Sequence, residues 1–345
     1  MSSEVRLGLP SKGTLETPTL SFLEACGLRV DKINPRQYTA SLPTVPGLVV
    51  LFQRAPDIVD KVKDGSVSLG ITGYDIVAEV KEEGDPLITL HSALGYGKCE
   101  LVVAVPDAWI DVLSMDDLAD VALNLRDKGK TLRVGTKFAN MTREFFRETG
   151  VSHYSIIQAE GAIEAGPSIS YVDIIVDLTS SGTTLRDNRL KRIDGGDILK
   201  SQACLIGNRH ALQHEPQVLS AAQTILEFID SYLSAREYCS VFANIYADSA
   251  EEAAQRVLAE PDISGLKGPT ISRVYVDASP AARSFAVHVT IQKSNLYRAV
   301  HQLRKVGCVS ITVLPVSYLF LDTSPSYQRL LNRLRRGAEA EDDTL

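Results

Sequence analysis

From Val5 to about Leu205, short apolar runs rich in Val, Ile and Leu alternate with amphipathic stretches closed by glycine. The runs Val5–Leu9, Leu48–Phe52, Val67–Thr72, Leu87–Leu90, Leu101–Val105, Leu132–Thr136, Ser155–Gln158 and Asp173–Leu178 read as strands. Several are apolar at almost every position, as strands covered on both faces are. Between them, Thr17–Cys26 stops at Gly27, Pro56–Asp64 opens on proline and stops at Gly65, and Asn140–Thr149 stops at Gly150. These are helix start and stop signals, and the alternation as a whole predicts an α/β protein.

A helical period then runs from about Gln217 to Ala235, and the order changes after it. Val241–Ala247 reads as a strand, Ala250–Leu258 as a helix, Ile271–Val276 and Phe285–Ile291 as strands, Asn295–Lys305 as a helix and Ser310–Val316 as a strand. That β-α-β-β-α-β order is the ferredoxin-like pattern. Such modules serve as effector-binding or assembly units, although a fold alone does not assign the role. Beyond it, Ser324–Leu345 carries Arg333, Arg335 and Arg336 and then Glu339, Glu341, Asp342 and Asp343, which predicts a frayed helix and a disordered tail.

Composition narrows the classes. The 345 residues are 44% hydrophobic and 23% charged, enough for two or three domains with cores of their own. A net charge of -7 gives no overall positive field, so neither a nucleic acid nor an anionic membrane is expected as a partner, and phosphate binding has to be local. Cys26, Cys99, Cys204, Cys239 and Cys308 are scattered without a C-x-x-C pair, which argues against a disulfide framework or structural zinc. With no signal-peptide pattern at the start and no apolar run of about 18 residues, the expectation is a cytoplasmic protein.

The richest local chemistry is Val172–Asn188, VDIIVDLTSSGTTLRDN, where an apolar strand ends in Asp177 and opens into hydroxyls and one glycine. Gly182 allows close backbone approach, the N–H groups of Ser181 to Thr184 can form an anion nest, and the hydroxyls of Ser180, Ser181, Thr183 and Thr184 add donors. The same residues also suit a plain polar turn, and both readings stand. In PSKGTL, Lys12 and Gly13 follow the first strand, where ligands of open α/β folds gather; the alternative is a solvated surface lysine. In FQRAPD, Arg54 leaves a strand just before a helix and can fork two oxygens of a polyphosphate, or pair with Asp57. Gly73, in DGSVSLGITGYD, permits close approach of a ligand. In EGAIEAGPS, Glu164, together with the later Asp173 and Asp177, suits ribose hydroxyls or a metal, or merely caps a helix. No G-x-S-x-G, H-E-x-x-H or Cys-His signature is present, and the histidines (His91, His153, His210, His214, His288, His301) are dispersed. Phosphate-handling loops without a nucleophile favour a substrate that brings its own leaving group.

Together, RLGLPSKGTLETPTLSFLEACGL, FQRAPDIVDKVKDGSVSLGITGYD, CELVVAVP, RVGTKFANMTREFF, EGAIEAGPSISYVDIIVDLTSSGTTLRDN and GCVSITVLPV resemble, in order from Val5 to Val316, the long form of the ATP phosphoribosyltransferases of histidine biosynthesis. The resemblance implies a two-lobed, periplasmic-binding-protein-like (type II) catalytic core with a C-terminal ferredoxin-like regulatory domain. On that pattern 1–97 and 185–236 form lobe I, 98–184 lobe II, 237–320 the regulatory domain, and 321–345 a partly disordered extension.

The implied reaction joins N1 of the adenine of ATP to C1 of 5-phosphoribosyl 1-pyrophosphate, with Mg2+ bound, releasing pyrophosphate. By resemblance, Ser180 to Thr184 hold the 5-phosphate, Asp177 and Asp173 the ribose, with Asp177 also the metal ligand, and Arg54 and Lys12 act on the pyrophosphate. Gly13, Arg36, Gly73 and Glu164 are further candidates for ATP or pyrophosphate. The regulatory domain implies inhibition by histidine, around Ala247, Gly268, Pro269 and Thr270, and the long form implies dimers and hexamers without the separate synthetase-like subunit of the short form. The rival expectation is a bilobal receptor or regulator that binds a small anion without catalysis. Three departures stand out: Arg189 where a glycine often follows Asn188, Gly166 where alanine is common, and a chain that runs on past Val316.

Overall fold

The computed structural model describes residues 4–32, 34, 37–82, 84–158, 161, 163–275 and 283–336. Contacts divide the chain into two compact units, one reaching Ile225 and resuming at Ser326, the other Leu226–Pro325. In the first unit, strands β1 (Val5–Pro10), β2 (Thr39–Ser41), β3 (Leu48–Gln53), β4 (Leu69–Gly73) and β5 (Leu87–His91) build lobe I with helices α1 (Glu16–Ala25), α2 (Ala55–Lys63) and α3 (Tyr74–Val80). Strands β6 (Cys99–Pro106), β7 (Leu132–Thr136), β8 (Tyr154–Gln158), β9 (Ile174–Thr179) and β10 (Leu190–Ser201) build lobe II with α4 (Met115–Asp127), α5 (Ala139–Glu148) and α6 (Thr183–Asp187). Strand β11 (Ala203–Asn208) returns to lobe I, and α7 (Arg209–His214) and α8 (Pro216–Arg236) follow.

The lobe I sheet runs β2-β3-β1-β4-β11-β5. β1 lies parallel to β3 and β4, whereas β11 is antiparallel to β4 and β5. The lobe II sheet runs β10-β6-β9-β7-β8, with β6 antiparallel to both of its neighbours, β10 and β9, and β9, β7 and β8 parallel to one another. In each lobe one strand reverses direction to carry the chain between lobes, which is the type II periplasmic-binding arrangement. β4 and β11 are buried along their whole length, so their unbroken apolar runs are what a sheet covered on both faces requires.

Two expectations change here. Lobe II does not end at residue 184, because β10 pairs with β6 from Leu190–Pro106 to Ser201–Cys99, so the return to lobe I comes after Ser201. The extension is not a frayed end over its described part. Pro325–Arg336 forms helix α11, on which Leu330 is 2% exposed and the Arg333 guanidinium donates to the Thr89 carbonyl at 2.8 Å. Residues 337–345, with the acidic run, lie outside the described residues.

The second unit holds β12 (Tyr238–Tyr246), α9 (Ala250–Leu258), β13 (Thr270–Val274), β14 (Ser284–Gln292), α10 (Leu296–Lys305) and β15 (Cys308–Pro315). Its antiparallel sheet runs β13-β14-β12-β15, the ferredoxin-like order. Alternate residues of β12 and β14, among them Val241, Ile245, Val287 and Val289, pack with Ala253, Val257, Ala299 and Leu303 of the two helices. Period 2 in the strands meets period 3.6 in the helices, and one face of the sheet is covered.

Candidate active site

The lobe I wall is built from the C-terminal ends of three neighbouring parallel strands, β3, β1 and β4. The Ser11 N–H donates to the Gln53 carbonyl at 2.8 Å, so the loops after β1 and β3 start side by side. Lys12 and Gly13 stand on the first and Arg54 on the second, and Lys12 and Arg54 are exposed. Arg54 caps the start of α2, and its side chain forms neither the expected pair with Asp57 nor any other ion pair among the described residues. Gly73 ends β4, and a Cβ there would come within 2.4 Å of the Asp75 carboxylate, so the absence of a side chain is what lets that carboxylate fold back.

The lobe II wall is the C-terminal end of β9. Asp177 lies on the strand, Ser180 and Ser181 follow, and Gly182 turns the chain at φ 70° into α6, which opens with Thr183 and Thr184. That left-handed conformation suits glycine and strains other residues. Two N–H groups expected in an anion nest are engaged within the loop: Gly182 N donates to the Thr179 hydroxyl at 3.0 Å and Thr183 N to the Ser181 hydroxyl at 3.4 Å. The sequence reading overlooked Arg186, whose guanidinium donates to the Thr183 hydroxyl at 3.2 Å and adds positive charge beside the loop.

Asp173 does not belong to this wall. It precedes β9 at the opposite end of the strand, and its carboxylate is bound by Arg133 at 2.7 Å and by the Arg133 N–H at 2.8 Å. An acid before a parallel strand faces away from the end where ligands gather, so its role is an ion pair that fastens β7 to β9. Arg36 lies outside the described residues.

Three residues missed in the sequence connect the walls. Asp75 is buried, donates its N–H to the Ser201 hydroxyl at 2.9 Å and accepts from that hydroxyl at 2.7 Å. Burial pushes its carboxyl above the usual range, against the pull of the Ser201 hydrogen bond and the charge of Lys137. Burial likewise raises Asp177, against a backbone hydrogen bond from Leu178 and the charge of Lys137, and the charge of Glu164 adds to the rise. Lys137, following β7, therefore acts on carboxylates of both lobes. The third is Glu79 of α3, whose carboxylate accepts from the N–H groups of Asn140 at 2.9 Å and Met141 at 3.2 Å, closing the first turn of α5. The signal for it is weak, because the capping acid is 61 residues away in sequence.

Comparisons with known proteins bear on the family of the chain. A family model described as ATP phosphoribosyltransferase matches residues 54–231, and one described as the HisG C-terminal domain matches 235–318. ATP phosphoribosyltransferase 2, chloroplastic, of Arabidopsis thaliana is 41% identical over 96% of this chain and 81% of its own length. The chain belongs to the ATP phosphoribosyltransferase family. The ATP phosphoribosyltransferase of Bradyrhizobium diazoefficiens is 34% identical over 97% of this chain and all of its own length. A solved ATP phosphoribosyl transferase (HisG:HisZ) complex from Thermotoga maritima aligns with 66% of this chain at a TM-score of 0.49 and 23% identity.

Within an ATP phosphoribosyltransferase the departure at Arg189 has a physical meaning. Its φ is 57°, the left-handed region, so the position favours glycine and Arg189 holds it at a cost. The effector candidates are not all brought together. Thr270 opens β13 opposite His288, whereas Ala247 follows β12 and donates to the Arg283 carbonyl at 3.2 Å. β14 lies between the two strands, and Thr270 stands level with Phe242, five residues along from Ala247, so the two are apart both across and along the sheet. Gly268 and Pro269 stay with Thr270, on the loop before β13.

Proposed function

We infer that the chain carries the activity of its family, joining N1 of the adenine of ATP to C1 of 5-phosphoribosyl 1-pyrophosphate and releasing pyrophosphate, the first step of histidine biosynthesis. The observation that carries the reading is the pairing of two cations, Lys12 and Arg54, at the strand ends of lobe I with the hydroxyl loop at the end of β9. The 5-phosphate takes the hydroxyls of Ser180, Ser181, Thr183 and Thr184, with Arg186 behind them. A phosphate there replaces the long Ser181 contact to Thr183 N and leaves the Gly182–Thr179 bond in place.

Breaking the bond from C1 to the pyrophosphate builds positive charge on the ribose and negative charge on the departing oxygens. Asp177 lies on the ribose side, and Lys12 and Arg54 meet the leaving group. Gly13 and Gly73 leave room for the nucleotide, and no covalent nucleophile is needed. Asp177 and Glu164 suit Mg2+, since a divalent cation relieves both the burial of the first and its repulsion by the second. Among the described residues no group of three or more His, Cys, Asp or Glu could hold a metal ion, so Asp177 and Glu164 would be the protein's share of the ligands. When bound, Mg2+ draws charge from the departing pyrophosphate.

Histidine acts through the second unit, supported by the match of residues 235–318 to the HisG C-terminal domain. Assembly into dimers and hexamers is supported by the open face of the ferredoxin-like sheet, where Phe242, Tyr246 and Leu314 are exposed. The five cysteines are free, which suits a reducing compartment such as the cytoplasm, although the two Arabidopsis relatives are named chloroplastic. Among the described residues no helix is long and apolar enough to cross a membrane. The test is pyrophosphate release that requires both ATP and the phosphoribosyl donor and falls on addition of histidine. No release with both present returns the chain to the receptor reading.

A further inference from the structure

The two walls of the crevice are unequal in charge. Lobe I offers Lys12 and Arg54, whereas lobe II, beyond its phosphate loop, offers the carboxylates Asp177 and Glu164. A pyrophosphate group lying between them meets cations on one side and repulsion on the other. Two cations of lobe II are engaged elsewhere, Arg133 with Asp173 and Arg186 with the Thr183 hydroxyl.

Lys137 is different. It is exposed, and its ammonium, 5.8 Å from the centre of the Phe138 ring, has no hydrogen bond or ion pair among the described residues. β7 pairs with β9 in parallel, Val134 opposite Ile174 and Gly135 opposite Ile175, and that register continued two residues past its last pair brings Lys137 level with Asp177. Three residues past Lys137, Asn140 is tied to Glu79 of lobe I, so this corner of lobe II is held against the other wall. The charge of Lys137 reaches Asp75 as well as Asp177, as that placement requires.

We propose that Lys137 is the lobe II cation of the donor site, its ammonium meeting the pyrophosphate half of the phosphoribosyl donor from the wall opposite Lys12 and Arg54. The proposal rests on the crevice reading given above. A compact ammonium on a flexible stem suits a leaving group that must be held and then released. On departure the bond from C1 to oxygen breaks, both electrons stay on that oxygen, and Lys137 shares in neutralising the new charge without giving up its proton.

Inorganic pyrophosphate is the probe. Titration calorimetry and steady-state kinetics on the full chain compare Lys137→Gln, Lys137→Arg and Arg54→Ala with the parent. In Lys137→Gln, pyrophosphate binding and kcat/KM for the phosphoribosyl donor fall by roughly 10- to 100-fold, while KM for ATP holds and Tm at neutral pH falls slightly, since Asp177 loses the charge that offsets its burial. Lys137→Arg recovers part of the loss, since the charge returns with a different shape. If Arg54→Ala weakens pyrophosphate binding and Lys137→Gln does not, the proposal for Lys137 fails and the crevice reading stands. If neither variant changes binding or kinetics, the crevice reading itself fails. A loss in Lys137→Gln shared equally by ATP and the donor, with pyrophosphate binding intact, also overturns the proposal, because disturbed lobe packing would produce it.

Discussion

Asp177 is held at a cost to stability. Burial raises its carboxyl above the usual range, and Lys137 offsets that only in part. The folded state therefore binds the proton more readily than the unfolded chain, and stability falls as pH rises from the ordinary carboxylate range, about 3.9, through the raised folded value. Asp177→Asn removes the penalty. Tm at neutral pH should rise relative to the parent while activity drops, and the Tm gain should vanish below the carboxylate range; thermal melts across pH check both signs. An unchanged or lower Tm at neutral pH would show that the carboxylate is not strained. At this scale much of the candidate site was legible, because Lys12, Arg54 and Asp177 each follow or end an apolar strand. Asp173 was assigned with Asp177 because proximity in sequence concealed that the two sit at opposite ends of one strand. Asp75, Lys137 and Glu79 were not legible as site residues, since their partners lie on other elements.

At the scale of elements, the parallel strands and their helices were legible from apolar runs and glycine stops. β10 was not, because Gly195 and Gly196 fall in its middle and its pairing shifts register between Arg192 and Asp197, so the segment reads as a turn. α4 carried a readable signal that went unused. Ser114 and Asp117 form a capping box, the Asp117 N–H donating to the Ser114 hydroxyl at 3.2 Å and the Ser114 N–H to the Asp117 carboxylate at 2.9 Å. From sequence α11 reads as a fraying end because its charged face dominates the composition. Yet the Gln213 amide donates to the Leu334 carbonyl at 3.0 Å, and Leu330 is buried. Leu330→Ala should lower the stability of the full chain by about 2–4 kcal/mol, the range for a buried leucine, read from denaturant melts. A loss under about 0.5 kcal/mol would mean that the helix adds little to the fold.

At the scale of the whole molecule, the chain crosses between its units twice, within α8 and again at α11. The covered face of the second unit's sheet is satisfied by its own helices, whereas the open face exposes Phe242 at 39%, Tyr246 at 56% and Leu314 at 47%. These apolar side chains, set among Ser240, Asn244 and Thr312 of the same face, are the candidates for an assembly contact. Light scattering on the full chain should give a dimer or hexamer, and Leu314→Lys should shift the mass downward without loss of Tm. The parent mass retained in that variant would place the assembly contact elsewhere. By itself, the sequence determined the fold class, the ferredoxin-like order of the second unit and the strand-end placement of Lys12, Arg54 and the hydroxyl loop, because these depend on local periodicity and on residues adjacent in the chain. Only the tertiary structure decided where lobe II ends, that Asp173 faces away from the crevice, that Ala247 stands apart from Thr270, and that the Asp75 carboxylate of lobe I hydrogen-bonds Ser201 of lobe II. Each of those depends on which strands become neighbours, and strand order is set by long-range packing that no local pattern encodes.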